Sequence, residues 1–231
     1  MRPRILDPHL VPVTGIDSHL PAVPAIRLTA AALRERFQQG FDGAPELPGD
    51  GGGMMPERQA RSAAVLVALT QRDDGLHVLL TQRADHLRDH AGQISFPGGG
   101  SEATDADAVA TALREAEEEV GLPRAQVQVI GCLPTYTTVT HYVVTPVVAL
   151  VQSPLILLLD ASEVVEAFEV PLQYLMTPAH HRRHVFDYDG GQRQFLSMPW
   201  HGLAADGSRR EYFIWGATAA MLRNLYGFLA R

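Results

Sequence analysis

Residues 114–122 read Arg-Glu-Ala-Glu-Glu-Glu-Val-Gly-Leu, and this acidic stretch decides the fold of the chain. At about 100° per residue, four apolar residues fall on one side of a helix that runs through it: Val109, Leu113, Ala116 and Val120. Gly121 follows at once, and glycine commonly ends a helix in the left-handed conformation. The sequence therefore predicts a helix over residues 107–120 with one face in a core.

The acidic residues of this helix are not spread evenly around it. Glu115, Glu118 and Glu119 share a second face, whereas Glu117 points away from them. Like charges four residues apart oppose a helix, and carboxylates at its C-terminal end oppose the helix dipole. Such a cluster is either a solvated acidic face or the oxygen ligands of a hard cation, Mg²⁺ or Mn²⁺.

A glycine-rich loop precedes the helix and favours the metal interpretation. Residues 96–100 read Phe-Pro-Gly-Gly-Gly, and glycines allow backbone N–H groups to approach a ligand closely. We expect Thr104 to cap the helix, with Asp107 three residues later. A glycine-rich loop that leads into a helix of metal-binding carboxylates is suited to phosphoryl chemistry.

These two elements together resemble the signature of the Nudix hydrolases. The matching positions of its second half are Arg114, Glu115, Ala116, Glu118, Glu119, Gly121 and Leu122. The first half departs, because Asp105 stands at the outer acidic position with one residue more than usual before Arg114. The resemblance implies an α/β (α+β) fold, a Nudix-like α/β/α sandwich with a mixed β-sheet.

A second stretch resembles the coenzyme A pyrophosphatase branch of that superfamily. Residues 79–99 read Leu-Leu-Thr-Gln-Arg-Ala-Asp-His-Leu-Arg-Asp-His-Ala-Gly-Gln-Ile-Ser-Phe-Pro-Gly-Gly. This resemblance implies hydrolysis of the diphosphate of coenzyme A, or a derivative, to 3′,5′-ADP and 4′-phosphopantetheine or its acyl form. Arg83, Arg88, Gly98 and Gly99 would bind the substrate, since a planar guanidinium fits a phosphate.

The resemblance also assigns the catalytic roles. The metal ligands would be Glu115, Glu118 and Glu119, holding Mg²⁺ or Mn²⁺, and Arg114 would orient them. A general base could come from Glu163 or Glu166, which follow the predicted sheet; the alternative for each is a solvated surface glutamate.

Composition excludes several other classes of protein. The net charge of −7 argues against a nucleic-acid surface, and the chain has no Lys, which excludes Schiff-base and P-loop chemistry. One cysteine, Cys132, excludes an internal disulfide framework. With no long apolar run, we expect a cytoplasmic protein with no signal peptide and no membrane or nucleic-acid partner; a homodimer is compatible with the sequence.

The chain divides into two predicted parts. Residues 1–60 are expected to form an N-terminal arm, with a short helix over residues 30–39 after Thr29 and a glycine-rich link. Residues 61–231 are expected to form the Nudix domain and to hold all the catalytic residues. Its predicted strands span residues 63–69, 76–81, 127–133, 142–151, 164–170, 195–198 and 211–214, with a short helix from residue 171 and a closing helix over residues 217–229.

Two other functions stay open at this point. One is a Nudix hydrolase of another nucleoside diphosphate derivative, such as ADP-ribose or a dinucleotide. The other is a non-catalytic Nudix-like domain that only binds a nucleotide. Retention of all three metal-binding acids favours an enzyme.

Overall fold

The computed structural model describes residues 5, 7–40, 43–50, 60–87, 91–152, 154–188, 191–204 and 206–231. The helices are Ala30–Gln38 (α1), Ala108–Val120 (α2), Leu172–Leu175 (α3) and Gly216–Leu229 (α4), with short 3-10 helices such as Pro8–Leu10. The strands are Val13–Ile16 (β1), Arg61–Arg72 (β2), Gly75–Arg83 (β3), Ile94–Ser95 (β4), Gly98–Gly100 (β5), Val127–Cys132 (β6), Tyr136–Thr137 (β7), Tyr142–Val151 (β8), Val164–Pro171 (β9), Arg182–Tyr188 (β10), Gly191–Leu203 (β11) and Arg209–Trp215 (β12).

The larger of two sheets contains eight strands and is mixed. β2 and β8 run parallel, whereas β3 pairs antiparallel with β2, β4 and β9, and β6 and β7 pair antiparallel with β8. The turn at Asp73 and Asp74 joins β2 to β3. The predicted α/β (α+β) class with a mixed sheet is confirmed.

Two apolar layers cover the faces of this sheet. On one face, α2 packs through Ala112, Ala116 and Val120 against β2 and β8. The other face carries α1, α4 and a second, four-stranded sheet in the order β1-β10-β11-β12. The sandwich therefore packs α2 against the central strands β2 and β8.

The ends of α2 follow from local chemistry. The Asp107 side chain accepts a hydrogen bond from the Ala110 N–H at 2.8 Å, so Asp107 caps the helix. The prediction of Thr104 as the cap is wrong, because the helix begins at Ala108. Gly121 ends the helix with φ of 67°, the left-handed conformation that glycine adopts without strain.

Several described residues before position 61 pack into the same core. Val23, Leu28 and Leu33 are buried in the layer that contains α4, and β1 pairs with β10. Part of the predicted N-terminal arm therefore shares a core with α4. Thr29 caps α1 by accepting from the Ala32 N–H at 3.2 Å, as predicted. No helix in the described ranges combines the length and apolar character needed to cross a membrane.

Candidate active site

Arg114 lies at the centre of the acidic face of α2. Its Nε and Nη2 donate to the two carboxylate oxygens of Asp105, at 3.1 and 2.9 Å, and Nη2 also donates to the Gly100 carbonyl at 3.0 Å. The Arg114 hydrogen bond holds the pKa of Asp105 well below its usual range. This fork fixes the guanidinium between the helix and the end of the glycine-rich strand β5.

The third guanidinium nitrogen of Arg114, Nη1, contacts two of the predicted metal ligands. Nη1 donates to Glu115 and to Glu118, at 2.9 Å each. Glu115 is largely buried, whereas 58% of the Glu118 side chain is exposed. Arg114 therefore contacts both carboxylates through one guanidinium nitrogen.

Glu119 is the most buried member of the acidic group. Its side chain is 2% exposed, accepts from the Gly98 N–H at 3.2 Å, and pairs with the Arg83 guanidinium at 3.3 Å. Burial, with a smaller contribution from the charges of Glu115 and Glu163, raises the pKa of Glu119 to about 7. The contacts with the Gly98 N–H and Arg83 act in the opposite direction, because both favour the charged form. A cation beside Glu119 would favour its charged form.

Two glycines allow the loop to approach the helix. A Cβ atom on Gly99 would lie 2.6 Å from the Glu115 carboxylate, and one on Gly98 would lie 2.4 Å from the Ala64 carbonyl oxygen. Gly98 also has φ of 156°, which other residues rarely adopt. Both predicted binding glycines therefore lie against the carboxylate group, with backbone N–H of Gly98 aimed into it.

Glu163 belongs to the same acidic group. Burial raises the pKa of Glu115 despite the Arg114 contact, and the charges of Glu118 and Glu163 add to this rise. The Glu163 carbonyl also accepts from the Ala84 N–H at 2.8 Å, directly after Arg83. Of the two base candidates, Glu163 is thus the one whose charge acts on Glu115 and Glu119.

Glu166 occupies a different environment. Its carboxylate accepts from the Tyr212 hydroxyl at 3.0 Å and from Arg210 at 3.1 Å, both on β12. Glu166 shares a strand face with Phe168 and Val170, which pack in the layer opposite α2. The structure therefore does not bring Glu166 together with Glu115 and Glu119.

Glu117 lies apart from the other acids, as the helical wheel predicts. It pairs with Arg124 at 3.1 Å, and about half of each side chain is exposed. Arg88, the second predicted phosphate-binding arginine, lies outside the described residues. Sequence reasoning treated Asp105 only as an outer acid of uncertain role; its position nine residues before Arg114 was the signal for the ion pair found here.

The carboxylates have the chemistry of a hard-metal site. Within the described ranges, no three acidic, histidine or cysteine side chains converge closely enough to hold an ion. Arg114 Nη1 hydrogen-bonds both Glu115 and Glu118 there. The donor set consists of carboxylate oxygens, which suits Mg²⁺ or Mn²⁺. Burial raises the pKa values of Glu115 and Glu119, and the charges of neighbouring carboxylates add to this rise.

Comparison with known proteins shows the family of the chain. The NUDIX domain family matches residues 60–188, which include β2 to β10 and the whole acidic group. An uncharacterized Nudix hydrolase, NudL of Escherichia coli strain K12, is 45% identical over 167 residues, 71% of this chain and 81% of NudL. NudL of Shigella boydii serotype 18 is 44% identical over the same length.

Solved structures of the same class also align with the chain. The Nudix hydrolase RenU of M. smegmatis has 25% identity and a TM-score of 0.42, covering 48% of this chain and 71% of RenU. A MutT/nudix family protein from Enterococcus faecalis has 13% identity and a TM-score of 0.46, covering 87% of this chain and 70% of that protein.

The match over more than half of the chain shows the class of protein. Nudix enzymes use divalent metal ions to act on small-molecule diphosphates. The chain belongs to the Nudix family and is a Nudix hydrolase.

Proposed function

We propose that the chain hydrolyses the diphosphate of coenzyme A, or of a coenzyme A derivative, to 3′,5′-ADP and 4′-phosphopantetheine or its acyl form. One observation carries the proposal. The segment that resembles the coenzyme A branch, residues 79–99, contacts Glu119 at both of its ends, through Arg83 and through the Gly98 N–H. The feature that suggests the substrate is therefore built onto the acidic helix itself.

Glu115, Glu118 and Glu119 would hold Mg²⁺ or Mn²⁺. A bound divalent ion would neutralise the diphosphate and lower the pKa of an attacking water. Arg114 keeps Glu115 and Glu118 on one side of the helix, and Gly99 leaves room for the Glu115 carboxylate.

The chain's own groups would bind the diphosphate and manage the proton. Arg83, 22% exposed, presents its guanidinium beside Glu119, where it can contact a phosphate oxygen of a bound diphosphate. Glu163 would accept the proton of the attacking water, because it lies in the acidic group, whereas Glu166 is already bound by Arg210 and Tyr212.

Product analysis tests this proposal. Purified protein would be incubated with coenzyme A and Mg²⁺ or Mn²⁺, and chromatography should show 3′,5′-ADP and phosphopantetheine in equal amounts. Glu119→Gln should abolish this turnover, whereas Glu117→Gln, which alters an exposed pair, should leave it within a few-fold. Loss in the first variant alone would exclude a contaminating hydrolase, which would act in both preparations.

A parallel panel separates the other functions. Preference for ADP-ribose or a dinucleotide over coenzyme A, or equal turnover of every diphosphate, would contradict the coenzyme A assignment while keeping the enzyme class. Nucleotide binding without turnover of any diphosphate would indicate a non-catalytic domain.

A further inference from the structure

The segment that precedes β9, residues 155–160, lies against the C-terminal end of α2. Its Leu158 N–H donates to the Val120 carbonyl at 2.9 Å, and its Asp160 N–H donates to the Glu119 carbonyl at 3.0 Å. The last carbonyl groups of a helix have no partner within the helix, so the segment supplies donors that the helix itself lacks. Asp160 is therefore bonded to the backbone of a predicted metal ligand.

Apolar packing holds this segment in place. Leu155, Leu157 and Leu159 pack against the apolar layer that contains α2. A Cβ atom on Gly121 would lie 2.8 Å from the Leu158 Cβ, so glycine after the helix allows the segment to come this close. The apolar layer and the helix end together determine where Asp160 lies.

Asp160 also shapes the turn that leads to Glu163. Its Oδ1 accepts from the Ser162 N–H at 2.8 Å and from the Ser162 hydroxyl at 2.6 Å. Its carbonyl oxygen accepts from the N–H groups of Glu163 and Val164, at 2.9 and 2.8 Å. An aspartate that accepts a backbone N–H two residues further on forms an Asx-turn, which an alanine cannot form. The Asp160 side chain therefore sets the path of the backbone into Glu163.

These hydrogen bonds belong to a closed chain of contacts that begins and ends at Glu119. From the Glu119 carbonyl it passes through Asp160 to the backbone of Glu163. The Glu163 carbonyl accepts from the Ala84 N–H at 2.8 Å, and the residue before Ala84 is Arg83. The Arg83 guanidinium lies 3.3 Å from the Glu119 carboxylate. The backbone and the carboxylate of Glu119 are thus connected through the residue proposed as the general base.

The position of a general base has a large effect on rate. The charge of Glu163 acts on Glu115 and Glu119, so its carboxylate lies within electrostatic reach of the proposed metal ligands. A general base must come within hydrogen-bond reach of the water that it activates, and a misplacement of about 1 Å can cost about 100-fold in rate. A residue that sets the backbone at Glu163 can therefore control turnover without touching the substrate.

We propose that Asp160 is a positioning residue, which holds the backbone of Glu163 in register with Glu119 so that the Glu163 carboxylate can accept the proton of the attacking water. This inference rests on the proposed function for the role of Glu163. It applies to any diphosphate that the chain hydrolyses.

Three substitutions separate the turn from the charge of Asp160. Asp160→Ala loses both, and it should lower kcat about tenfold or more with KM within about twofold, because a general base acts in the transition state and not in substrate binding. Asp160→Asn keeps the Oδ1 acceptor and should retain kcat within about threefold. Asp160→Glu keeps the charge on a side chain too long for the Asx-turn, and its kcat should fall as in Asp160→Ala. Asp160→Glu also replaces the alanine variant if that variant does not fold.

The chain offers a matched control at Asp206. Its Oδ1 accepts from the Ser208 N–H at 2.9 Å, in an Asp-x-Ser turn of the same kind between β11 and β12. Asp206→Ala removes this turn contact from another part of the fold and should leave kcat within about twofold. Equal loss of kcat in Asp206→Ala and Asp160→Ala would overturn the proposal.

A double-mutant cycle with Glu163 tests whether Asp160 acts through it. Glu163→Gln should lower kcat about 100-fold or more, since a general base usually contributes about 10²–10⁴. Asp160→Ala should then lower kcat by less than about twofold further, because no base is left to position. A double variant in which the two separate losses multiply would overturn the proposal, and so would an Asp160→Asn variant as slow as Asp160→Ala.

The outcomes separate this inference from the proposed function. A slow Glu163→Gln beside a fully active Asp160→Ala would retain the general base and contradict the role of Asp160 alone. Wild-type kcat in Glu163→Gln would contradict the general base of the proposed function, and the role of Asp160 with it.

Discussion

Two clusters of charged side chains in this molecule differ in the ratio of acidic groups to guanidinium groups. The first, the carboxylate cluster around α2, contains Asp105, Glu115, Glu118, Glu119 and Glu163, with Arg83 and Arg114 as the guanidinium groups that contact it. The second, the Arg223 cluster, contains Asp17 and Glu46 with Arg183 and Arg223, and the His181 ring. Acids exceed guanidinium groups by at least three in the first cluster and match them in the second.

The Arg223 cluster satisfies its own charges. Arg223, 2% exposed, donates to Asp17 at 2.8 Å and to Glu46 at 2.7 and 3.0 Å. Burial would raise the pKa of Asp17, but the hydrogen bond from Arg183 and the charge of Arg223 lower it below its ordinary value. A buried group of this kind joins distant parts of the chain, here α4, β10 and the residues before α1.

The difference separates a structural cluster from a functional one. Buried charges are costly unless they are paired, so an unbalanced cluster next to a cleft indicates a charged ligand. Under the proposed function a cation would balance the carboxylate cluster, whereas the acids and guanidinium groups of the Arg223 cluster balance one another. Variants in the two clusters should therefore fail in different assays.

The largest expected effect is on stability. Arg223→Met leaves Asp17 and Glu46 without one of their two cations, and removal of one partner of a buried pair typically costs about 3–5 kcal/mol. Chemical denaturation should show this loss, while any turnover per folded molecule keeps the metal dependence of the wild type. An unchanged free energy of unfolding would show that the cluster does not stabilise the fold.

The Arg223 cluster should also make stability depend on pH. Arg223 donates to His181 Nδ1 at 3.1 Å, and Nε2 donates to the Leu175 carbonyl at 2.7 Å, so this buried ring is neutral. Burial lowers the pKa of His181 from 6.5 to about 4, and the charge of Arg223 contributes.

The sign follows from proton uptake by the unfolded chain. Between pH 6.5 and about 4, the unfolded chain binds a proton at His181 that the folded protein does not, so stability falls as the pH falls through this range. The loss should approach about 3 kcal/mol relative to His181→Gln, in which both hydrogen bonds can form without titration. The free energy of unfolding would be measured for both proteins from pH 7 to 4. A constant difference between them over this range would contradict the prediction.

A substitution at Arg83 tests the carboxylate cluster through its effect on activity. A hydrogen bond to a charged group is typically worth about 1.5–3 kcal/mol, so Arg83→Ala should lower kcat/KM by about 10- to 150-fold. Because Arg83 contacts Glu119, the loss should be similar for coenzyme A and for a diphosphate without a base. A loss confined to coenzyme A would instead assign Arg83 to recognition of the rest of the substrate.

The smallest effects should come from the exposed pair on the same helix. Glu117→Gln and Arg124→Ala break a contact between half-exposed side chains, and such pairs contribute about 0.2–1 kcal/mol. Thermal melts and turnover of both variants should stay close to those of the wild type. A large loss of turnover in Glu117→Gln would mean that the active face of α2 is assigned incorrectly.

The carboxylate cluster could be predicted because its signals are local. The spacing of apolar residues gave the helix, Gly121 gave its end, and the same spacing separated Glu117 from Glu118 and Glu119. The cap was assigned wrongly because Thr104 and Asp107 are both good capping residues, and only the position of the first helical turn decides between them.

The Arg223 cluster was missed because its partners are distant in sequence. Residues 182–184 read Arg-Arg-His, which carries no apolar alternation, yet they are the first three residues of β10. His184 is buried there because the Val11 carbonyl and the Ser197 hydroxyl pair with its two ring nitrogens, at 2.9 and 2.8 Å. A polar contact such as that of Asp17 with Arg223, which lie 206 positions apart, leaves no periodic pattern in either segment.

Mn²⁺ binding by α2 is the most direct test of the proposed metal ligands. Mn²⁺ affinity would be measured without substrate for the wild type, Glu118→Gln, Glu119→Gln and Glu117→Gln, all neighbours on α2. Removal of outer-shell partners of a metal commonly costs 10- to 100-fold in affinity, so loss of a ligand at Glu118 or Glu119 should cost at least about tenfold. We expect this loss of Mn²⁺ affinity in Glu118→Gln and Glu119→Gln. In Glu117→Gln we expect an affinity within about twofold of the wild type. Equal weakening by Glu117→Gln, or unchanged affinity in Glu119→Gln, would contradict it.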